Sequence, residues 1–304
     1  MPIPQFIWLD GKYVKFQDAK VHVLTHSLQY GSGIFEGIRC YSTPKGPAVF
    51  RLHEHAKRFF HTAHTYKMPL KLSMKEFEQA VIGTINKNKL KSAYIRPFGY
   101  YKEYGIGFTT KGKTTSVAIA AMDFGPLFGE GQKGLNCMVS SWLRINSSIL
   151  PASAKVSGNY INSILASQEA NEAGYDEAIL MSNLGTVAEG PGENIFVVQD
   201  NILVTPPKSA NILLGITRDS VIRIAESIGL EVEERDLRRE ELYTSDEVFF
   251  SGTAAEIVPI VSVDSRTVGT GKLGPITKML QDRYTKVTHG EDTMFIDWLT
   301  FTQG

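Results

Sequence analysis

The chain has 304 residues, of which 42% are hydrophobic and 21% charged; this composition excludes a disordered or collagen-like chain. Lys plus Arg and Asp plus Glu each total 32, so the net charge is zero, and with no basic run able to track phosphates no nucleic-acid partner is expected. Two cysteines, Cys40 and Cys137, cannot form a disulfide framework or a four-thiolate zinc site, which fits a reducing, cytoplasmic setting.

The first residues, Met1-Pro2-Ile3-Pro4-Gln5-Phe6, lack the basic-then-apolar order of a secretory signal. No run of about 18 apolar residues follows anywhere, so no membrane span is expected. Asp10-Gly11 between Phe6–Leu9 and Tyr13–Phe16 spells a hairpin. Ser73-Met74-Lys75-Glu76 reads as a capping box, followed by Phe77, Ala80, Val81, Thr84 and Ile85 at helical spacing. Val117–Met122 reads as a strand. The stretch Phe124 to Gly131, with three glycines and a proline, reads as a linker.

Beyond it, Asn136–Trp142 reads as a strand opening a second domain. Helices are expected at about 159–174 and 217–229. Strands are expected at Ala178–Met181, Asn194–Val198, Ile202–Val204 and Val248–Phe250. Pro275 to about Val287 reads as a closing helix with Ile276, Met279, Leu280 and Tyr284 inward. The mixed order argues for α+β or irregular α/β architecture, without regular βα alternation. The expected division is a small domain over 1–121, a linker over 122–134 and a larger domain over 135–304.

Charge is conspicuously missing in places. From Ile145 to Gln168 the only charged side chain is Lys155, where about five would be expected at the chain's average, so the segment reads as buried or lining a cleft. Burial disfavours an ammonium and leaves a nucleophilic amine suited to Schiff-base chemistry with a carbonyl. A lysine with a buried stem and a solvated head is the plainer reading. Ala178 to Val198 contains only Glu189 and Glu193 and no cation; such an acid needs a partner, for which a pyridinium nitrogen serves, unless Glu189 sits in an exposed turn before Gly190-Pro191-Gly192. Arg96 stands alone among Tyr94, Ile95, Pro97, Phe98 and Tyr100, as a carboxylate clamp or as a structural cation stacked on rings.

Leu214-Gly215-Ile216-Thr217 reads as a helix start, with Thr217 as the cap and Val221, Ile224, Ala225 and Ile228 inward. Its free N–H groups are either an anion site or an ordinary helix end. Ser251-Gly252-Thr253-Ala254-Ala255 offers backbone donors or simply a tight turn. His53-Glu54-His55 has the wrong spacing for a zinc protease, and His61 and His64 near Arg58 read as a solvated helix, so no metal is expected. Gly269-Thr270-Gly271-Lys272-Leu273-Gly274 matches a dinucleotide fingerprint literally but leaves too few residues for the domain behind it. It reads as a loop into the helix at Pro275.

Six runs taken together carry a resemblance: Tyr30-Gly-Ser-Gly-Ile-Phe-Glu-Gly-Ile-Arg39, Tyr94-Ile-Arg-Pro97, Ala154-Lys-Val-Ser-Gly-Asn-Tyr160, Val187-Ala-Glu-Gly-Pro-Gly-Glu-Asn-Ile-Phe196, Gly215-Ile-Thr-Arg218 and Ser251-Gly-Thr-Ala-Ala-Glu256. From Trp8 to the final helix the chain resembles the branched-chain amino acid aminotransferases of fold-type IV, which use pyridoxal 5′-phosphate. The resemblance implies a two-domain fold with a small N-terminal α+β domain, a larger C-terminal irregular barrel and the cofactor between them. It implies Lys155 as the residue bonded to the cofactor and as the proton shuttle, with Arg58, the Ile216 and Thr217 amides after Gly215, and Thr253 after Gly252 on the phosphate. Tyr160 falls to the phenolic oxygen, Glu189 to the ring nitrogen and Leu213 to the ring face.

For the substrate it implies the Thr253 and Ala254 backbone with Tyr94 and Arg96 on the α-carboxylate, and Arg39 for an acidic side chain. Phe35, Gly37, Tyr30 of a neighbouring subunit, and Leu127 and Phe128 would wall an apolar pocket. The implied reaction moves the amino group of L-leucine, L-isoleucine or L-valine to 2-oxoglutarate in a homodimer, with a trimer of dimers as the larger assembly. Same-fold D-amino acid or (R)-amine transaminases and aminodeoxychorismate lyase are the alternatives. The aromatic run Tyr100, Tyr101, Tyr104, Ile106 and Phe108 reads as interface packing, or else as acceptance of aromatic amino acids.

Overall fold

A computed structural model describes residues 3–125, 127 and 134–303; most of the glycine-rich linker, with the pocket candidate Phe128, lies outside the described residues. The protein divides into two compact units, Met1–Gly125 with Ala154–Gly158 and Val287–Gly304, and Pro126–Ser153 with Asn159–Lys286. In chain order the elements are β1 (Phe6–Leu9), β2 (Lys12–Lys15), α1 (His26–Tyr30), β3 (Ile34–Phe35), β4 (Ile38–Thr43), β5 (Gly46–Phe50), α2 (Leu52–Thr65), α3 (Met74–Lys87), β6 (Ala93–Tyr101) and β7 (Thr115–Met122). There follow β8 (Leu135–Leu143), α4 (Tyr160–Glu172), β9 (Glu177–Met181), β10 (Val187–Glu189), β11 (Asn194–Gln199), β12 (Ile202–Thr205), α5 (Ile216–Ser227) and β13 (Val232–Glu234). The chain closes with α6 (Glu241–Thr244), β14 (Glu247–Gly252), β15 (Glu256–Val263), β16 (Arg266–Thr267), α7 (Pro275–Thr288) and β17 (Leu299–Phe301).

The first unit is built on an antiparallel sheet in the order β17-β5-β4-β6-β7-β1-β2, with β3 beside β6. Its β1–β2 hairpin turns on Asp10 and Gly11, both at positive φ (47° and 89°), the turn whose twist matches the flanking strands. The Ser73–Glu76 capping box forms as the sequence spells it, and the buried face of α3 is Phe77, Ala80, Val81, Thr84 and Ile85. Phe77 stacks on Phe59 of α2 at 4.8 Å between ring centres, so the two helices share one apolar core with Ile34, Ile38 and Ile95 of the sheet.

The second unit closes a ring. Strands β10, β9, β8, β15, β14 and β11 pair in succession, and β10 pairs back to β11 through the single couple Glu189–Asn194. Alternate residues fill the interior: Leu135, Cys137 and Val139 of β8, Ile195 and Val197 of β11, Val248 and Phe250 of β14. The opposite parity packs outward, where Phe196 stacks on Phe249 at 5.0 Å, and Ala178 and Leu180 meet Ala166 and Ala170 of α4. The α+β architecture and the irregular barrel expected from sequence are present.

Three local expectations are corrected. Helix α5 starts at Ile216 with Gly215, extended at φ −68° and ψ 135°, as its cap; Thr217 is already helical and buried. In α7 Met279 is 43% exposed, whereas Thr277, Leu280, Tyr284 and Val287 are buried, because the inward stripe follows 277, 280, 284 and 287. The charge-poor segment around Lys155 is not uniformly buried, since Ile149 is 71% and Ile161 58% exposed. Missing charge there marks a surface without ions, a weaker condition than burial.

Candidate active site

In the first unit Lys155 is held by its backbone. The segment Lys155–Gly158 runs against Gly31–Phe35: the Phe35 N–H donates to the Lys155 carbonyl (3.0 Å), the Ser157 N–H to Gly33 (2.8 Å) and the Gly158 N–H to Gly31 (2.8 Å). The Lys155 N–H donates to Thr62 Oγ1 of α2 at 3.2 Å. Ala154 and Val156 turn into the apolar core, so Lys155 between them points the other way, half-buried, with Nζ 5.1 Å from the centre of the Phe35 ring.

One turn before Thr62, Arg58 grips a carboxylate. Its Nε donates to Glu36 Oε1 at 2.6 Å and its Nη2 to Oε2 at 2.8 Å, the two-bond fork geometry. His55 Nδ1 lies 2.8 Å from Glu36 Oε2, and the Gly37 N–H donates to the same oxygen at 3.2 Å. Glu36 has no solvent exposure and His55 only 1%. Burial by itself would raise the Glu36 pKa, but the Arg58 charge and the bonds from Arg58 and His55 outweigh it and hold the carboxyl well below the usual range. Burial lowers the pKa of His55 despite Glu36, which fits a neutral ring donating from Nδ1.

Beside this pair the same unit gathers rings and guanidiniums. Arg96 lies 4.8 Å from the Phe35 ring centre and donates to the Tyr94 hydroxyl at 3.0 Å. Arg39 lies 5.9 Å from the Phe124 ring centre, and Phe124 is 5.1 Å from Tyr94. A Cβ on Gly37 would fall 2.1 Å from the Tyr94 hydroxyl, so only glycine lets that ring in. Tyr30 belongs to another group: its hydroxyl accepts from the Gly107 N–H (3.0 Å) and its ring meets Phe108 at 5.4 Å.

In the second unit the ring-closing Glu189 is buried, not in an exposed turn. Arg144 Nε donates to its Oε1 at 2.5 Å, Asn194 Nδ2 to its Oε2 at 3.0 Å and the Leu213 N–H to both oxygens at 3.1 Å. The acid thus has a cationic partner from β8's end, just outside the charge-poor windows. Asn194 also donates to the Leu213 carbonyl (2.8 Å), and a Cβ on Gly215 would come within 2.0 Å of Asn194 Oδ1. One asparagine therefore ties Glu189, Leu213 and the start of α5 together. It also pairs with Ser251 across β11–β14, next to Gly252, Thr253 and Ala254, which turn towards Glu256. Tyr160 is the first residue of α4 and half-buried; Leu127 is an exposed turn residue.

Sequence reasoning missed Glu36, His55, Thr62, Phe124, Arg144 and Asn194. Glu36 and Asn194 lay inside the quoted runs, and an acid between Phe35 and Ile38 was the available signal. Phe124 had been assigned to the linker. Arg144 carries no local signal beyond being a cation at the end of a strand.

The comparisons with known proteins agree on a class. The model for amino-transferase class IV matches residues 33–263, and the chain belongs to that family. More particularly, it is 46% identical over 297 residues to the branched-chain-amino-acid aminotransferase of Salmonella typhimurium, covering 97% of this chain and 96% of that one. The crystal structure of the Escherichia coli branched-chain amino acid aminotransferase superposes with a TM-score of 0.96 at 44% identity, covering 99% of this chain and 100% of the other. The branched-chain amino acid aminotransferase of Thermobaculum terrenum, solved in its PLP-bound holo form, gives 0.94 at 37% identity, with 99% of each chain covered. The family resemblance read from the sequence is borne out.

Pyridoxal 5′-phosphate is the cofactor of this class, and the residues present fit it. No side chain caps the first turn of α5, so its amides suit a phosphate. Buried Ser251 Oγ, next to Gly252-Thr253, has no hydrogen-bond partner among the described residues. Within the first unit Lys155 would offer an amine to the aldehyde; within the second, Glu189 is a buried, ionically compensated acid of the kind that would suit the ring nitrogen.

Proposed function

We propose that this chain catalyses reversible transfer of the amino group of L-leucine, L-isoleucine or L-valine to 2-oxoglutarate, giving the branched-chain 2-oxo acids and L-glutamate. The observation that carries the reading is the group formed by Phe35, Tyr94 and Phe124 with Arg96 and Arg39. Rings accommodate an aliphatic side chain, and a guanidinium answers the second carboxylate of glutamate, so one pocket serves both partners. When bound, the cofactor supplies an electron sink for the charge left as Cα loses its proton. Lys155 Nζ takes that proton and returns it, its reach fixed by the backbone bonds on either side. Glu189 keeps the ring nitrogen protonated, with Arg144 and Asn194 holding the carboxylate in place. Arg58, the amides of Ile216 and Thr217, and Thr253 hold the phosphate; Tyr160 meets the phenolic oxygen, and Leu213 covers the ring. The Thr253 and Ala254 backbone with Tyr94 and Arg96 orient the α-carboxylate, while Gly37 makes room for the Tyr94 ring. In this reading Leu127 also walls the pocket.

The active unit is a homodimer in this reading, with Tyr30 entering the neighbour's pocket; a trimer of dimers is its larger form. Supporting it, Ile106 (90%), Phe108 (87%) and Ile149 (71%) are exposed apolar side chains whose cost a second copy would remove. A cytoplasmic setting goes with it; no described helix is long and apolar enough to cross a membrane. Mixing the cofactor-loaded protein with single amino acids and following its visible spectrum tests the reading. L-leucine and L-glutamate convert it and D-leucine does not. Conversion by D-amino acids or (R)-amines alone, or pyruvate release without an amino acceptor, overturns it.

A further inference from the structure

We propose that Glu36 is the positioning residue of the phosphate subsite: it sets the orientation in which the Arg58 guanidinium meets the cofactor's phosphate. This rests on the functional reading above. A wholly buried carboxylate is a poor stabiliser, since a packed apolar residue commonly does as well or better. Glu36 is nonetheless surrounded by donors: two nitrogens of Arg58, Nδ1 of His55 and the Gly37 amide. Arg58 and His55 lie three residues apart on α2, so both reach the same carboxylate from one helix face. With Nε and Nη2 committed to Glu36, the plane of the guanidinium is fixed before any phosphate arrives. A long side chain that would otherwise lose rotamer freedom on binding has already lost it.

The placement has a second consequence. Glu36 is flanked by Phe35 and Gly37, whose contacts are the Lys155 amine, Arg96 and Tyr94. The Glu36 main-chain N–H donates to Pro97 O at 3.0 Å, tying the carboxylate's backbone to β6. One three-residue segment therefore aims the phosphate arginine with its middle side chain and contributes its outer two residues to the pocket.

The test compares binding of pyridoxal 5′-phosphate and of pyridoxal, which lacks the phosphate, to the apo form of the full chain, read by tryptophan fluorescence quenching. Wild-type protein prefers the phosphorylated form strongly; absence of that preference, or of any binding, sinks the functional reading and not this proposal alone. Glu36→Gln lowers the preference by about tenfold or more while pyridoxal affinity changes by less than about twofold. In an Arg58→Ala background the same substitution leaves the preference within about twofold. A merely structural role would weaken both ligands in parallel, and that outcome, or an unchanged preference, overturns the proposal. Should Glu36→Gln fail to fold, Glu36→Asp keeps the charge and withdraws it by one methylene. Its preference falls between those of wild type and Arg58→Ala, and a wild-type ratio there overturns the proposal.

Discussion

The two units each bury one glutamate against one arginine, and the two pairs work in opposite senses. In the first, under the proposed function, Arg58 meets the phosphate with Glu36 aiming it; in the second, under the same proposal, Glu189 meets the ring nitrogen with Arg144 holding it. The ion pairs themselves are Arg58–Glu36 and Arg144–Glu189. Both pairs are near-neutral as units, so neither leaves an uncompensated charge in the interior. The difference lies in what else the acid binds. Glu36 accepts from two side chains of a single helix, α2, and stays sealed; Glu189 accepts from β8's end, β11 and the Leu213 loop, three separate segments. A group aimed by one helix moves with that helix, whereas one fixed from three segments stays put when any of them shifts.

Substitutions can break this comparison. Lys155→Ala, which removes the amine that the proposed reaction needs, lowers kcat/KM for leucine by about 10⁴-fold or more. Glu189→Gln lowers kcat by on the order of 10²-fold with little change in KM, and Arg144→Gln moves it in the same direction by less, since Asn194 and the Leu213 amide remain; steady-state kinetics rank the two. Thr253→Ala raises the cofactor dissociation constant by about tenfold, whereas Thr217→Ala, which keeps the backbone amide, leaves it within about twofold; equilibrium titration measures both.

Acid provides a further handle on the first pair. The folded pKa of Glu36 lies below its unfolded value, so its contribution to stability is present above the usual carboxylate range and drains as pH falls through and below it. The pKa of His55 is also depressed, so the unfolded chain takes up a proton that the folded one refuses below about pH 6.5, and stability falls there too. Denaturant midpoints of the apo form decline from pH 7.5 to pH 5, and His55→Asn flattens that upper part of the decline. The smallest effect lies outside both pairs: Ser73→Ala costs about 1 kcal/mol of stability by losing the α3 cap, seen in thermal unfolding with turnover unchanged.

Local rules were legible wherever local physics decides. The Asp10-Gly11 hairpin, the Ser73 box and the buried stripe of α3 appear as written, because turn chemistry, capping and periodicity act within a few residues. The start of α5 was misplaced by two residues, since a threonine is a good cap in general and only Asn194, from a distant strand, forces glycine at 215. Lys155 and Glu189 were visible as lone charges. Their partners were not, because Arg144 and Thr62 are brought in by strand order and helix packing that no spacing encodes. The exposed isoleucines near Lys155 show the limit of charge counting: it finds surfaces that avoid ions without saying what covers them.

The short backbone ladder between Gly31–Phe35 and Lys155–Gly158 bears on engineering. Five residues numbered in the middle of the second unit belong by contact to the first, as does everything after Lys286. A chimera made by exchanging the first 125 residues between two relatives would take its lysine from one parent and the lysine's socket, Thr62 and Phe35, from the other. Crossover points that respect the ladder must fall in pairs, so shuffled libraries of this protein are best cut around the residue 154–158 segment as an insert of its own.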